Sequence, residues 1–116
     1  MADNPTDPKT LTSVYVRLAW YALFNQQPSL AIEASEQGLA INSDESTEAM
    51  LHTNLAHGYL FTNQYEQARA IYQRYQDIAI GDGRSFKQAV LDDFKEFRQK
   101  GLTHADMKKI EALYQQ

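Results

Sequence analysis

Apolar residues recur in the first part of the chain at a helical spacing. Between Thr10 and Phe24 they stand at Leu11, Val14, Tyr15, Leu18, Ala19 and Ala22. Steps of three and four residues place them on one face of an α-helix and do not fit the alternation of a strand. After a polar break at residues 25–27, Pro28 suits the first turn of a second helix. That helix carries Ala31, Ile32, Ser35, Gly38 and Leu39 and is predicted to end at the polar run 42–44.

The same spacing predicts four further helices. The third runs from about Thr47 to Thr62, the fourth begins at Tyr65, and the fifth spans about Ser85 to Gln99. Gly101 suits the C-cap of the fifth helix. The sequence Thr103-His104-Ala105-Asp106 matches a capping box with Asp in place of Glu, so it predicts the start of a last helix. Because the turns within pairs are short, the paired helices are predicted to be antiparallel.

The first two helix pairs repeat one another. Leu18-Ala19 is followed by Ala31 in the first pair, and Leu55-Ala56 is followed by Ala68 at the same distance in the second. The copies are 37 residues apart. Self-similarity at such a period is typical of helical repeat proteins, whose units bury their apolar faces against one another.

The second pair resembles a tetratricopeptide repeat (TPR). Its Asn54-Leu55-Ala56 and Tyr59, followed by Tyr65-Glu66-Gln67-Ala68 and Tyr72, match the TPR pattern of Leu, small residue, aromatic, then Tyr and Ala. The first pair departs from that pattern, with Ala22 where an aromatic is usual and Ser43 where Pro is frequent. The segments 83–94 and 101–104 resemble the closing part of a group of bacterial TPR proteins.

The resemblance implies an all-α fold: a right-handed, TPR-like array of about six antiparallel helices in three pairs. We expect a flexible N-terminal segment over residues 1–9 and a single domain over 10–116. Within the domain, residues 10–42 are a repeat that departs from the TPR pattern, and residues 46–80 are a repeat that matches it well. Residues 85–115 are a divergent closing helix pair.

The amino-acid composition excludes several classes of function for this chain. The chain has 116 residues, no cysteine and a net charge of −4, so thiol chemistry is excluded and a phosphate backbone would be repelled. We therefore expect no nucleic-acid partner. No apolar run is long enough to insert into a membrane, and residues 1–9 do not form a signal peptide, which favours a cytoplasmic location. If the chain belongs to a longer protein, a targeting segment could precede it.

The TPR resemblance implies a protein- or peptide-binding scaffold with a concave groove. If the register of the repeats holds, the residues lining that groove are Val16, Trp20, Phe24, Thr53, Asn54, His57 and Phe61. Lys95 or its neighbours would continue the groove in the third pair. Val16 and Trp20 stand where some TPRs carry a Lys and an Asn that bind a C-terminal carboxylate, so the predicted groove is apolar and chaperone tails are disfavoured.

Trp20 is the most informative of these residues because tryptophan is enriched at binding hot spots. It is predicted to lie off the apolar stripe of its own helix, beside Tyr21 and Phe24. One interpretation makes it an anchor for a partner segment. The other has it packed under the N-terminal segment or against a neighbouring molecule. The residues alone do not decide between the two.

The sequence offers little evidence of catalytic or metal-binding residues. We expect neither an enzyme nor a bound metal or cofactor. His52 and His57 are five residues apart, about 140° around a helix, so they do not share a face as metal ligands would. We interpret these histidines and His104 as exposed or groove residues. Asp92-Asp93 are interpreted as a solvated helix face rather than an acid–base pair. Residues 81–84 lack the ending of a phosphate-binding loop.

Two functional hypotheses follow. The first is a scaffold that holds a peptide or protein segment in the groove. The alternative is a self-assembly module, or a structural closing domain of a larger multidomain protein, because the ends of a short helical array are poorly covered. Under this alternative the chain would form homo-oligomers.

Overall fold

A computed structural model describes residues 7–41 and 44–115 as helices joined by short connections. The six helices are α1 (Pro8–Phe24), α2 (Pro28–Leu39), α3 (Glu45–Phe61), α4 (Tyr65–Arg74), α5 (Phe86–Gln99) and α6 (Met107–Tyr114). Extended pairing in the described residues is limited to one isolated bridge between Ala79 and Ser85. The prediction of an all-α chain is confirmed over these residues. The expectations for residues 1–6 and 42–43 lie outside them.

Helix boundaries follow local capping chemistry. Asp44 precedes α3 and accepts a hydrogen bond from the backbone N–H of Thr47 at 2.7 Å, and Ser85 does the same for Gln88 at 3.1 Å. Such side-chain oxygens satisfy backbone donors that have no partner within the helix. Pro28 lies in the first turn of α2, as predicted. The first helix begins at Pro8, two residues before its predicted start.

The connection from α5 to α6 agrees only partly with the prediction. Gly101 has φ +78°, the left-handed conformation expected at a helix C-terminus. The predicted capping box is wrong, because α6 begins at Met107 and Thr103 does not cap it. The imidazole of His104 takes that role: its Nδ1 lies 3.0 Å from the backbone N–H of Asp106, and its Nε2 lies 2.7 Å from Asn63 Oδ1.

Small residues allow the first four helices to pack closely. The repeated alanines Ala19, Ala31, Ala56 and Ala68 are all completely buried. Gly38 and Gly58 bring α2 and α3 together. A Cβ atom on Gly58 would lie 2.7 Å from Ile32 Cγ1 and 3.1 Å from the carbonyl oxygen of Pro28. A larger residue would therefore force α2 and α3 apart.

The prediction that the whole apolar stripe of α1 is buried is wrong in part. Val14 and Leu18 are 43% and 40% exposed, whereas Ala19 and Ala22 are buried as expected. Among the described helices α1 packs mainly against α2 and α3. These neighbours cover only one side of it, and the face with Val14 and Leu18 is left uncovered.

The closing pair α5–α6 joins the same core through larger side chains. Three completely buried phenylalanines, Phe86, Phe94 and Phe97, come from α5. Tyr114 on α6 donates its hydroxyl to the carbonyl oxygen of Tyr72 on α4 at 2.8 Å. The closing pair is thus held by large aromatic side chains, whereas the first four helices meet at alanine and glycine.

Candidate functional site

A pocket of about 190 Å³ opens between α1, α3 and the start of α5. Its walls are mainly apolar, with a few polar and charged groups from the connection before α5. The lining residues are Val16, Trp20, Met50, Thr53, Asn54, Ile80, Asp82, Arg84, Ala89 and Asp93.

Helical spacing explains why these residues converge. Val16 and Trp20 are four apart on α1, Ala89 and Asp93 are four apart on α5, and Met50 is followed at three and four residues by Thr53 and Asn54 on α3. Residues at such spacings lie on the same face of a helix.

The connection before α5 forms the remaining wall. Gly81 and Gly83 have φ +95° and +87°, values that glycine adopts without strain. Around this turn the backbone N–H of Ile80 donates to the carbonyl of Arg84 at 3.1 Å, and that of Phe86 donates to the carbonyl of Ile78 at 2.7 Å. The turn therefore holds Asp82 and Arg84 at the mouth of the pocket.

The polar groups of α3 at the pocket floor serve the fold as well. The amide of Asn54 donates to the carbonyl oxygen of Val16 at 3.1 Å and so ties α3 to α1. The hydroxyl of Thr53 donates to the carbonyl of Ala49 at 2.8 Å. Both side chains are more than nine-tenths buried. A ligand would meet them only at the bottom of the pocket.

His57 lies beside the pocket and bridges three helices. Its Nδ1 is 2.7 Å from the hydroxyl of Tyr72 on α4, and its Nε2 is 2.9 Å from Asp93 Oδ2 on α5. An ionised Asp93 can only accept, so Nε2–H donates to it, and Nδ1 of a neutral ring then accepts from Tyr72. Burial raises the pKa of Tyr72 well above its ordinary value. We refer to Tyr72, His57 and Asp93 as the bridging triad.

The expectation of an exposed or groove histidine is wrong for His57, which is completely buried. Asp92 and Asp93 do not form a simple solvated face either. Asp92 accepts from Arg84 at 3.0 Å, while Asp93 binds His57 and its side chain is only 17% exposed. Both differences have one cause: α5 packs against α3 at the face that was predicted to remain open.

Phe97 on α5 occupies the centre of that face. Its ring centroid lies 5.5 Å from Trp20, 5.2 Å from Phe24, 5.3 Å from Phe61 and 5.0 Å from His57. These separations are typical of packed aromatic pairs. The residues predicted for the groove thus fall into two groups. Val16, Thr53 and Asn54 line the pocket, and Phe24, His57 and Phe61 pack against Phe97. Trp20 does both: it lines the pocket and packs against Phe97.

A second cavity of about 320 Å³ contains Phe61. It lies at the other end of α3, beside the turn after α5, and is also lined by Leu23, Gln26, Pro28, Gly101, Leu102 and Thr103. Phe61 is therefore separated from the first pocket, the one lined by Val16, Trp20 and Met50, which we refer to as the Trp20 pocket. Lys95, which was expected to continue the groove, is exposed and does not line either cavity.

Charges at the mouth of the pocket are paired. The guanidinium of Arg84 donates to Asp82 Oδ2 at 2.7 Å through Nη2 and to Asp92 Oδ2 at 3.0 Å through Nη1. These hydrogen bonds lower the pKa of both carboxyls and raise the pKa of Arg84. Asp82, Asp92 and Asp93 outnumber the one guanidinium at the pocket, and the charge of Lys95 acts on Asp92 as well. Negative charge is left in excess when the carboxyls are ionised.

The described residues contain no group of three His, Cys, Asp or Glu side chains placed to hold a metal ion. Within the same residues, no helix is both long and apolar enough to cross a bilayer. A scan against models of protein families, a search of curated proteins and a search of solved structures each found no match.

Sequence reasoning missed the contribution of the segment before α5. Ile80, Asp82 and Arg84 were not among the predicted groove residues, and neither were Met50 on α3 or Ala89 and Asp93 on α5. The double glycine of 81–83 indicated a turn, but nothing local indicated where that turn would lie relative to α1 and α3.

Proposed function

We propose that this chain is an interaction module that holds a segment of another protein in the pocket beside Trp20. The observation that carries the proposal is the half-buried Trp20 ring in the wall of an otherwise mainly apolar pocket. Tryptophan next to a desolvated pocket is a frequent centre of binding energy.

The size of the pocket favours recognition of one side chain. Small-molecule and cofactor sites usually have volumes of about 300–1,000 Å³. A pocket of about 190 Å³ is smaller than that range and accommodates a single anchoring residue of a peptide. The rest of the peptide would then lie across the surface of α1 and α3.

Catalysis is not supported by the bridging triad, although its groups resemble an acid–base relay. Tyr72 and His57 are completely buried, so a substrate has no access to the hydroxyl or to the ring nitrogens. General acid–base catalysis needs the group within hydrogen-bond reach of a substrate.

We also assign the helices to a right-handed, TPR-like array. The equal spacing of buried alanines in α1–α2 and α3–α4 supports this assignment. The closing pair departs from it, because Phe97 contacts both Trp20 of the first pair and Phe61 of the second. In a regular array a third pair would pack mainly on its immediate neighbour.

Peptide selection tests the proposed function. A random peptide library is selected on the immobilised protein, and the affinity of the selected peptides is measured for the unmodified chain and for Trp20→Ala. We expect Trp20→Ala to weaken binding by at least about tenfold. Tyr21→Ala is the matched control, because Tyr21 is 65% exposed and does not line the pocket.

Met50→Gln gives a second variant that alters the pocket without touching the Phe97 contacts. It should weaken the same peptides while the thermal midpoint of the protein stays close to that of the unmodified chain. Peptides that bind Trp20→Ala and Met50→Gln with unchanged affinity would show that the pocket is not the binding site.

Self-assembly is a second candidate, favoured by an uncovered stripe on α1. Val14, Leu18 and Tyr21 follow at i, i+4 and i+7 and are 43%, 40% and 65% exposed. A stripe of this kind can pack against a second copy or against a preceding helix. Sedimentation of the unmodified chain and of Leu18→Glu tests this candidate. A concentration-dependent dimer that Leu18→Glu abolishes supports it, and a monomer at all concentrations contradicts it.

A further inference from the structure

The Trp20 pocket combines an apolar wall with a carboxylate. Asp93 lines the pocket and binds His57 through Oδ2 alone, at 2.9 Å. Within the described part of the chain, its other oxygen, Oδ1, is in no hydrogen bond. A carboxylate oxygen can accept further hydrogen bonds, and an incoming donor would satisfy this one.

The only cationic group among the lining residues is already neutralised. Arg84 donates through Nε and Nη2 to Asp82 and through Nη1 to Asp92. An anionic ligand would have to break these bonds or approach two carboxylates. A cationic ligand meets the excess negative charge of the pocket mouth, which agrees in sign with the net charge of −4 of the whole chain.

The apolar lining defines the rest of the ligand. Met50, Val16 and Ile80 offer a surface for an aliphatic stem, and the Trp20 ring lies in the same wall. Lysine and arginine have such a stem and carry the charge at its end. A cation within about 6 Å of a tryptophan ring is also attracted by the π-system.

We propose that the Trp20 pocket receives a lysine or arginine side chain of the bound segment, with the cationic group at Asp93 Oδ1. This inference rests on the proposed function and specifies the chemistry of the partner: a segment with a basic residue among apolar neighbours.

Small analogues test the inference without a known partner. n-Butylguanidinium mimics an arginine side chain, N-butylurea is a neutral molecule of nearly the same shape, and pentanoate is an anion of similar length. Each is titrated into uniformly ¹⁵N-labelled protein while the Trp20 indole N–H and the Asn54 side-chain amide are followed by NMR. We expect butylguanidinium to bind about fivefold more tightly than butylurea, and pentanoate not to bind.

Asp93→Asn is the decisive variant. An asparagine keeps an oxygen that can accept from His57 Nε2–H and replaces the other carboxylate oxygen with an N–H donor. The preference for butylguanidinium over butylurea should fall to about one. Glu33→Gln removes one negative charge from an exposed position on α2 and should leave the preference unchanged.

The unmodified protein provides a test that does not depend on the folding of Asp93→Asn. Raising the NaCl concentration should reduce the preference for butylguanidinium, because screening weakens the attraction between charges. Equal affinity for butylguanidinium and butylurea at low salt, or tighter binding of pentanoate, would overturn the inference.

The selected peptides separate this inference from the proposed function. Peptides that require Trp20 and are enriched in lysine or arginine support both. Peptides that require Trp20 but show no such enrichment leave the interaction pocket intact and refute the cationic anchor. Peptides whose binding does not depend on Trp20 refute both.

Discussion

The two ends of the molecule are held together by different means. Helices α1–α4 approach closely at alanine and glycine, and the alanines recur at a fixed spacing. Helix α5 is held by Phe97 and by the hydrogen bonds of the bridging triad, and neither feature recurs among the described residues. Close packing of small residues is thus a feature of helices α1–α4. The position of α5 depends on individual side chains, and that position determines the shape of the Trp20 pocket.

We expect the largest loss of stability when the aromatic side chain of Phe97 on α5 is removed. Phe97→Ala should lower the free energy of unfolding by about 3–5 kcal/mol, because it empties a completely buried site. Trp20 loses one of its aromatic neighbours, so its emission should shift to longer wavelength in the native state. Denaturant unfolding followed by Trp20 emission measures both quantities. An unchanged unfolding free energy would mean that Phe97 does not hold α5 in place.

Breaking the bridging triad should cause the next largest loss of stability. His57→Leu leaves the buried hydroxyl of Tyr72 without its acceptor and should destabilise the protein by about 2 kcal/mol. Adding Tyr72→Phe removes that unsatisfied group. The double variant should therefore be less destabilised than the sum of the two single variants. Strict additivity, measured by urea unfolding, would contradict a hydrogen bond between His57 and Tyr72.

A glycine substitution tests the close packing of α2 against α3. Gly58→Ala places a methyl group 2.7 Å from Ile32 Cγ1 and 3.1 Å from the carbonyl oxygen of Pro28, so α2 must move. After the gain in helix propensity, a net loss of about 1 kcal/mol is expected. Gly38→Ala is the comparison. Its Cβ would lie 2.7 Å from Leu51 Cδ2, the end of a side chain, and 3.1 Å from Tyr15 Cβ, with no backbone atom among its three nearest contacts, so a smaller loss is expected. A larger loss for Gly38→Ala than for Gly58→Ala would contradict the close approach at Gly58.

The ion pairs at the mouth of the pocket should matter least for stability. Arg84, Asp82 and Asp92 are all more than one-third exposed, so solvent screens their attraction. Arg84→Gln should change the unfolding free energy less than Gly58→Ala does. It should also raise the pKa of Asp82 and Asp92, since hydrogen bonds from Arg84 lower both. NMR titration of the carboxyl groups measures this.

The sign of the pH dependence follows from the direction of these pKa shifts. A carboxyl whose pKa is lower in the folded protein stabilises it above the pKa of the unfolded chain, and this contribution is lost as the pH falls through the folded value. The difference between the unmodified chain and Arg84→Gln should therefore be largest near neutral pH and disappear in acid. A difference that grows on acidification would contradict the role of Arg84.

The sequence predicted the helices well because their apolar spacing is local. All six helices were expected, and the glycine at position 101 adopts the predicted left-handed conformation. For α1, the sequence did not predict which residues of the apolar stripe are buried. Leu18 and Ala19 both fit a helical spacing, and only the placement of α2 and α3 decides that Ala19 is buried and Leu18 is not.

Four of the residues expected in the groove, Val16, Trp20, Thr53 and Asn54, line one pocket. Their role in holding a partner stays a prediction. The burial of His57 and the role of Asp93 depend on a contact between residues 36 positions apart. No local pattern identifies that pairing, since an aspartate on an amphipathic helix usually faces solvent.

Contacts between a selected peptide and the Trp20 ring test the central claim most directly. Intermolecular nuclear Overhauser effects are measured on the complex of the protein with its tightest selected peptide. The account predicts contacts from one peptide side chain to the Trp20 ring protons and to the Met50 methyl group. Contacts confined to Val14, Leu18 and Tyr21 would instead place the partner on the uncovered stripe of α1 and contradict the pocket as the binding site.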